Sequence, residues 1–270
     1  MARVLLTGAA GGVGRFLRDG LPDRGWELRL FDRAPIPEAP DAVVADLRDD
    51  AALDTALDGV DAVVHLAGVS VEAPFDDILG SNIDGTYRLF AAARRAGVTR
   101  IVYASSNHAV GFEPVGGFAR ADTPTRPDTY YGLSKVFGEG LGRLYHDRFG
   151  LDVVCIRIGS CFERPTSRRQ LATWLSPRDA VGLFDACLRA PAPGYVVTFG
   201  ISANTRGWYD IEPARKLGYE PQDDSEPYAV EILAGPPEPD ADARYLGGHF
   251  TEVPLGEHMR GVSTAASASE

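Results

Sequence analysis

Apolar residues along much of the chain come in runs of strand length, and these alternate with longer amphipathic stretches. Runs of this length between amphipathic stretches predict the strands of a parallel sheet. They fall at 3–7, 27–32, 62–66, 100–104, 153–157 and 195–199. The stretches between them predict amphipathic helices at 12–21, 78–96, 131–149 and 177–189. Strand and helix in alternation make βαβ units, so the expected fold is α/β, a Rossmann-type doubly wound parallel sheet with helices on both faces. After about residue 160 the alternation weakens. Residues 163–170 are polar, and 220–242 are rich in Pro and acidic side chains with little periodicity. This predicts a small C-terminal substrate-covering region and tail over 161–270, interleaved with the last strands of the sheet that 1–160 begins. The small polar residues at 264–270 predict a frayed end.

The first block leads directly into Gly8, Ala9, Ala10, Gly11, Gly12, Val13 and Gly14, and then into a helical segment with Phe16, Leu17 and Leu21 on its apolar side. Glycines at 8, 11 and 14 suit a tight turn, close approach of backbone to a pyrophosphate and close helix packing, and the helix N-terminus favours the phosphates. Asp32 ends the second block, eighteen residues after Gly14. A carboxylate there accepts hydrogen bonds from a ribose diol and repels a 2′-phosphate, which predicts NAD, although the neighbouring Arg33 leaves room for NADP. On this reading 1–160 is a dinucleotide-binding domain.

Tyr131 and Lys135 are four residues apart and therefore share one face of a helix. An ammonium near a phenol stabilises phenolate, which allows the tyrosine to act as a base. Tyr130 has Ser134 rather than Lys at that spacing and is read as a packing or exposed aromatic. The glycine loop, Asp46 and Leu47, the run His65 to Gly68, the run Asn82 to Thr86, Ser105 and Ser106, and the Tyr131 and Lys135 pair occur in that order. In this combination residues 1–160 resemble the extended short-chain dehydrogenase/reductase family. The resemblance implies that Ser106 hydrogen-bonds the reacting hydroxyl, that Tyr131 exchanges its proton, and that Lys135 holds the nicotinamide ribose and lowers the phenol pKa. It also implies cofactor contacts from Gly8, Gly11, Gly12, Val13, Gly14, Asp32, Asp46, Leu47, Leu66, Ala67, Gly68 and Asn82. Asn82 is read mainly as a structural residue at a helix bend.

The segments 68–75, 104–108, 157–161 and 169–176, with 247–250 near the end, are similar to those of the bacterial uronate dehydrogenases. That likeness implies a cyclic uronic acid as substrate, oxidised at C1. It also implies that Ser70, Ser106, Asn107, His108 and Ser160 bind sugar hydroxyls and that Arg169 holds the carboxylate. The planar fork of an arginine matches a carboxylate, but Arg168 is next to it and could serve instead. His108 is expected as a hydrogen-bonding wall of the site, and Trp174, Phe112 and Ser105 as packing or structural residues.

Composition limits the alternatives. A formal charge of −11 argues against nucleic acid and anionic membrane surfaces as partners. Three cysteines, one inside an apolar block, and five histidines without ligand spacing predict a reducing compartment and no metal site. With strand-sized apolar blocks and no basic leader, the protein is expected to be soluble and cytoplasmic. A homo-oligomer is expected through apolar helix faces such as that of 78–96. A nucleotide-sugar epimerase or dehydratase shares the loop and the Tyr and Lys pair. Such enzymes carry a longer C-terminal half, and a Tyr-Gly pair where this chain has Val110 and Gly111. A dinucleotide-sensing binding protein without turnover would have no need for the proton-transfer residues.

Overall fold

A computed structural model describes residues 2–237 and 240–259, so residues 264–270 lie outside the described part. Seven parallel strands form the main sheet: β1 (Arg3–Thr7), β2 (Glu27–Asp32), β3 (Val43–Val44), β4 (Ala62–His65), β5 (Arg100–Ser106), β6 (Asp152–Ile158) and, after the short pair β7 (Ser160–Cys161) and β8 (Trp174–Leu175), β9 (Tyr195–Gly200). Their order is β3-β2-β1-β4-β5-β6-β9, and β7 pairs only with β8. The chain reverses direction across the sheet between β1 and β4, the point at which doubly wound sheets form a ligand crevice at the carboxyl ends of their strands.

Side chains alternate strictly between two cores. Val4, Leu6, Val64, Val102 and Val154 face one layer with Leu17 of α1 (Gly12–Gly20) and Leu183 of α7 (Pro177–Arg189). Leu5, Val63, Ile101 and Val153 face the other, with Leu53 of α2 (Asp50–Leu57), Leu89 of α4 (Gly85–Arg95) and Leu141 of α5 (Tyr130–Phe149). Each such fully buried side chain contributes about 1.5–3 kcal/mol, and burial on both faces explains the apolar runs of β1, β4, β5 and β6.

The structure corrects the element boundaries in three places. The helix expected at 78–96 is a short α3 (Phe75–Ile78), a π-helical turn (Leu79–Asp84) and then α4. In that turn Gly85 N–H donates to the carbonyl of Gly80, five residues back, and the extra residue turns Asn82 into the protein. β3 and α2 have no counterpart in the apolar pattern, because two residues give β3 no periodicity. The cap that starts α2, with Asp49 accepting from Ala52 N at 3.0 Å, is a local signal with little apolar pattern behind it. The expected irregularity of 220–242 is only partial, since α9 (Ala229–Leu233) follows a 3-10 turn and α10 (Asp240–Arg244) begins at its end. A further short helix, α8 (Glu212–Lys216), precedes this region, and α6 (Gln170–Thr173) lies between β7 and β8. No helix among the described residues is long and apolar enough to cross a membrane.

One buried histidine couples stability to pH. His65 at the end of β4 is fully buried between Thr7 Oγ1 (2.8 Å from Nδ1) and Thr86 Oγ1 (3.0 Å from Nε2). Burial, helped by the Lys135 charge, brings its pKa down to about 3. The folded state therefore keeps the ring neutral where the unfolded chain protonates it, and stability falls as pH drops below about 6.5. Unfolding midpoints in urea should show a loss of about 2 kcal/mol between pH 6.5 and 5. A His65→Asn variant, less stable overall, should lack that slope. An unchanged slope in the variant would assign it to other groups.

Candidate active site

The crevice is lined first by the glycine loop. Gly8 has a φ of +72°, and a Cβ there would come within 2.6 Å of the Ala67 backbone nitrogen, so β1 and β4 can be this close only with glycine at 8. A Cβ on Gly14 would strike the Gly8 carbonyl, which explains the close approach of α1. By contrast a Cβ on Gly12 would meet nothing within 4 Å, and the N-terminus of α1 has no side-chain cap. Its free N–H groups look into open space, as an anion-binding helix end requires. Val13 packs against the core and holds the helix down.

Asp32 ends β2 beside the loop, with Oδ2 accepting from Ala10 N and Oδ1 from Ala34 N, both at 2.9 Å. It thus shapes the loop as well as facing the crevice. Asp46 is forked by Arg48 (2.9 and 3.0 Å) and held below the usual carboxylate pKa by that hydrogen-bonded pair, while the Leu47 side chain is buried in the core. Leu66, Ala67 and Gly68 continue from β4 along the crevice floor. There Asn82 Oδ1 accepts from Val69 N (2.7 Å), and its Nδ2 donates to Val69 O (2.9 Å) and Ser134 Oγ (3.0 Å). Asn82 therefore ties the loop after β4 to α5.

Helix α5 starts where Thr129 caps it, the hydroxyl accepting from Gly132 N at 2.9 Å. Tyr131 and Lys135 then project from one face into the crevice beside the end of β5. Lys135 Nζ donates to Ala104 O (2.9 Å) and lies 5.4 Å from the centre of the Tyr131 ring. Burial brings the ammonium down to about 8. The same burial pushes the phenol up to about 12, against the pull of a hydrogen bond with Ser106. In the protein alone the lysine does not lower the phenol as the sequence comparison implied, because loss of water outweighs a cation at that distance. Ser105 points the other way and donates to Glu139 (2.6 Å), itself forked by Arg157 at 2.9 and 2.8 Å in an almost fully buried pair.

The residues predicted for the sugar lie beyond Ser106. Asn107 Nδ2 and Arg169 Nη2 both donate to the carbonyl of Leu246, on a strap that crosses the site near the end of the chain. Arg169 Nη1 is 3.5 Å from Ser160 Oγ, which bonds Thr173 Oγ1 at 2.9 Å. Arg168 turns away to the carbonyls of Leu233 (2.7 Å) and Gly235 (3.2 Å), so only Arg169 points toward Asn107 and Ser160. His108 stacks on Phe250 of the strap at 3.9 Å and meets Tyr131 edge-on at 5.7 Å. Ser70 is exposed on the loop between β4 and α3 and joins none of these hydrogen-bonded groups. Trp174 donates to Phe162 O (2.9 Å) and Phe112 rests on Tyr245, while Tyr130 packs edge-on against Phe75.

Sequence reasoning missed three residues. Asp128 bonds His108 Nδ1 at 2.6 Å, Phe250 covers the His108 ring, and buried Glu72 accepts from Tyr131 N (3.0 Å) and from Gly256 N (2.8 Å). Glu72 thereby fixes both the start of α5 and the strap. Asp128 stands just before a Thr at a helix start, where an acidic residue reads as part of a cap. Glu72 and Phe250 gain meaning only once distant segments meet.

Residues 4–177 match the NAD dependent epimerase/dehydratase family. The chain belongs to that family. Among curated members it is 45% identical over 254 residues to the uronate dehydrogenase of Pseudomonas syringae pv. tomato, covering 92% of each chain. It is 42% identical over 253 residues to the NAD-dependent glucose-6-phosphate dehydrogenase of Haloferax volcanii, covering 84% of this chain and 96% of the other. Among solved structures it is similar to a tyrosine-to-alanine mutant of Agrobacterium tumefaciens uronate dehydrogenase complexed with NAD, at 44% identity and a TM-score of 0.90, covering 96% of this chain and 100% of that one. The open glycine loop, Asp32 and the buried Lys135 ammonium, whose only hydrogen-bond partner among the described residues is Ala104 O, fit this family's dinucleotide.

Proposed function

We propose that the protein is a uronate dehydrogenase, oxidising the C1 hemiacetal of a cyclic hexuronic acid such as D-glucuronate or D-galacturonate to the aldarolactone. The observation that carries this reading is a guanidinium, Arg169, joined through Leu246 to Asn107, which directly follows Ser106, with the Tyr131 ring edge-on to the adjoining His108. Bound NAD supplies the acceptor for the hydride that leaves C1. The glycine loop, with Gly8, Gly11, Gly12, Val13 and Gly14, would hold its pyrophosphate, Asp32 the adenosine ribose, and Lys135 the nicotinamide ribose. Asp46, Leu47, Leu66, Ala67, Gly68 and Asn82 complete that surface. Arg169 forks the substrate carboxylate. Ser106 orients the C1 hydroxyl and Tyr131 takes its proton, while Ser70, Asn107, His108 and Ser160 hold ring hydroxyls. Residues 1–160 then act as the nucleotide half and 161–270 as the substrate half. Oxidation of a ring hemiacetal gives a lactone directly, so positioning and a preset charge environment account for the catalysis.

Three free cysteines support a cytoplasmic location. Exposed Leu79 and Tyr87, with Leu133, Leu144 and Phe149 on α5, supply apolar surface for a homo-oligomer.

The test follows NADH absorbance with NAD and D-glucuronate, D-galacturonate or glucose 6-phosphate. Turnover with a uronate and at least about tenfold less with the phosphate is expected, since a flat carboxylate matches one arginine fork better than a bulkier dianion does. Turnover with glucose 6-phosphate alone would move the substrate assignment to the reading that the Haloferax relative suggests.

A further inference from the structure

Buried behind the substrate wall is a carboxylate with an unusual setting. The Asp128 side chain is wholly shielded from solvent, and glycines from three separate segments close around it. A Cβ on Gly111, Gly132 or Gly247 would collide with it or with the adjoining His108 carbonyl. The backbone has been brought as near as a chain can come, and nothing larger than hydrogen fits between. Asp128 Oδ2 meets His108 Nδ1 at 2.6 Å, and Oδ1 accepts from Thr129 Oγ1 at 2.9 Å. The Thr129 hydroxyl has no second proton to give, and it already accepts from Gly132 N. His108 is further fixed by stacking on Phe250 and by its edge contact with Tyr131. Its remaining polar atom, Nε2, has no hydrogen-bond partner among the described residues, and it is not among the buried atoms left unpaired, so it opens on the cleft.

We infer that Asp128 is a positioning residue that sets the tautomer of His108, holding the proton on Nδ1 so that Nε2 meets the sugar as a hydrogen-bond acceptor. The reason is one of satisfied bonds. A carboxylate can only accept, so the ring nitrogen facing it must be the donor, and the other nitrogen of the neutral ring is left with its lone pair. An acceptor at this place selects a substrate that offers an O–H and disfavours one that offers only an ether or carbonyl oxygen, because the lone pairs would then face each other. The role toward substrate rests on the uronate reading above, whereas the tautomer itself does not.

Asp128→Asn makes the inference testable, because Thr129 decides which way round the amide lies. Its hydroxyl already accepts from Gly132 N, and its proton stays bonded only if an acceptor stands at the Oδ1 position, so the carbonyl takes that place and the amide nitrogen turns to His108. An N–H facing Nδ1 forces the ring proton to Nε2, and the group presented to the sugar changes from acceptor to donor. We would record ¹⁵N spectra of protein labelled only at histidine, with His108→Gln to identify the signal, alongside steady-state kinetics. In the wild type, the expected pattern is that of a neutral ring protonated at Nδ1. In Asp128→Asn, protonation at Nε2 is expected, with KM for the uronate raised about 10 to 100-fold, kcat within about threefold and NAD affinity unchanged. A wild-type ring protonated at Nε2, or at both nitrogens, would overturn the inference, as would a variant whose tautomer switches without any rise in KM. If Asp128→Asn fails to fold, the wild-type spectrum still decides the tautomer. If the wild type turns over no uronate, the substrate reading fails while the tautomer assignment is judged on its own spectrum.

Discussion

Tyr131→Phe should lower kcat with a uronate about 10³-fold, within the range that a positioned general base contributes, and leave NAD binding within about twofold. The substitution removes one oxygen from a residue whose ring is held by the helix cap at Thr129 and by the edge contact with His108. The fold therefore loses only the hydrogen bond with Ser106, about 1 kcal/mol. The chemistry loses the atom that takes the C1 proton. Since the phenol is held at about 12 in the protein alone, the base is mostly protonated near neutrality, and the wild-type rate should climb with pH as more of it ionises. The variant should not show that climb. Initial rates across pH, with cofactor affinity measured by fluorescence titration, check both statements. Activity within tenfold of wild type would show that another group carries the proton.

Arg169→Ala should cost about 10² to 10³-fold in kcat/KM for uronates, corresponding to roughly 3–4 kcal/mol for a desolvated charge pair that loses one partner. A neutral sugar with the same ring has no carboxylate to lose its partner and should fall by less than about tenfold. The comparison of the two substrates separates loss of the fork from general disturbance of the strap, to which Arg169 is bonded at Leu246. Arg169→Lys should recover only part of the loss, because an ammonium offers a point charge where the carboxylate needs two parallel donors. Equal losses with acid and neutral sugar would assign Arg169 a structural role.

What was legible in the sequence follows from how local each signal is. The strands β1, β4, β5 and β6 could be read because strands buried on both faces must be nearly continuous in apolar residues, and the glycine loop because steric contact with Ala67 and with its own carbonyl leaves no other residue possible at 8 and 14. Tyr131 and Lys135 could be paired because four residues along a helix bring side chains to one face. The helix at 78–96 was misjudged because a π turn needs only one extra residue, and the apolar spacing on either side of it stays helical. Asp128, Glu72 and Phe250 stayed hidden for a different reason. Each works through a partner far along the chain, as Glu72 does with Gly256 or Phe250 with His108, and no periodicity records such a meeting.

Glu72 also says something about how the active site is held together. Its two oxygens grip N–H groups from the start of α5 and from Gly256, and its own carbonyl accepts from Met259 N at 3.3 Å. Without residues 246–259 this carboxylate would lack half of its partners and His108 its cover. The same stretch thus braces the start of α5 and the His108 wall at once, so that a disturbance at one side of the site is felt at the other.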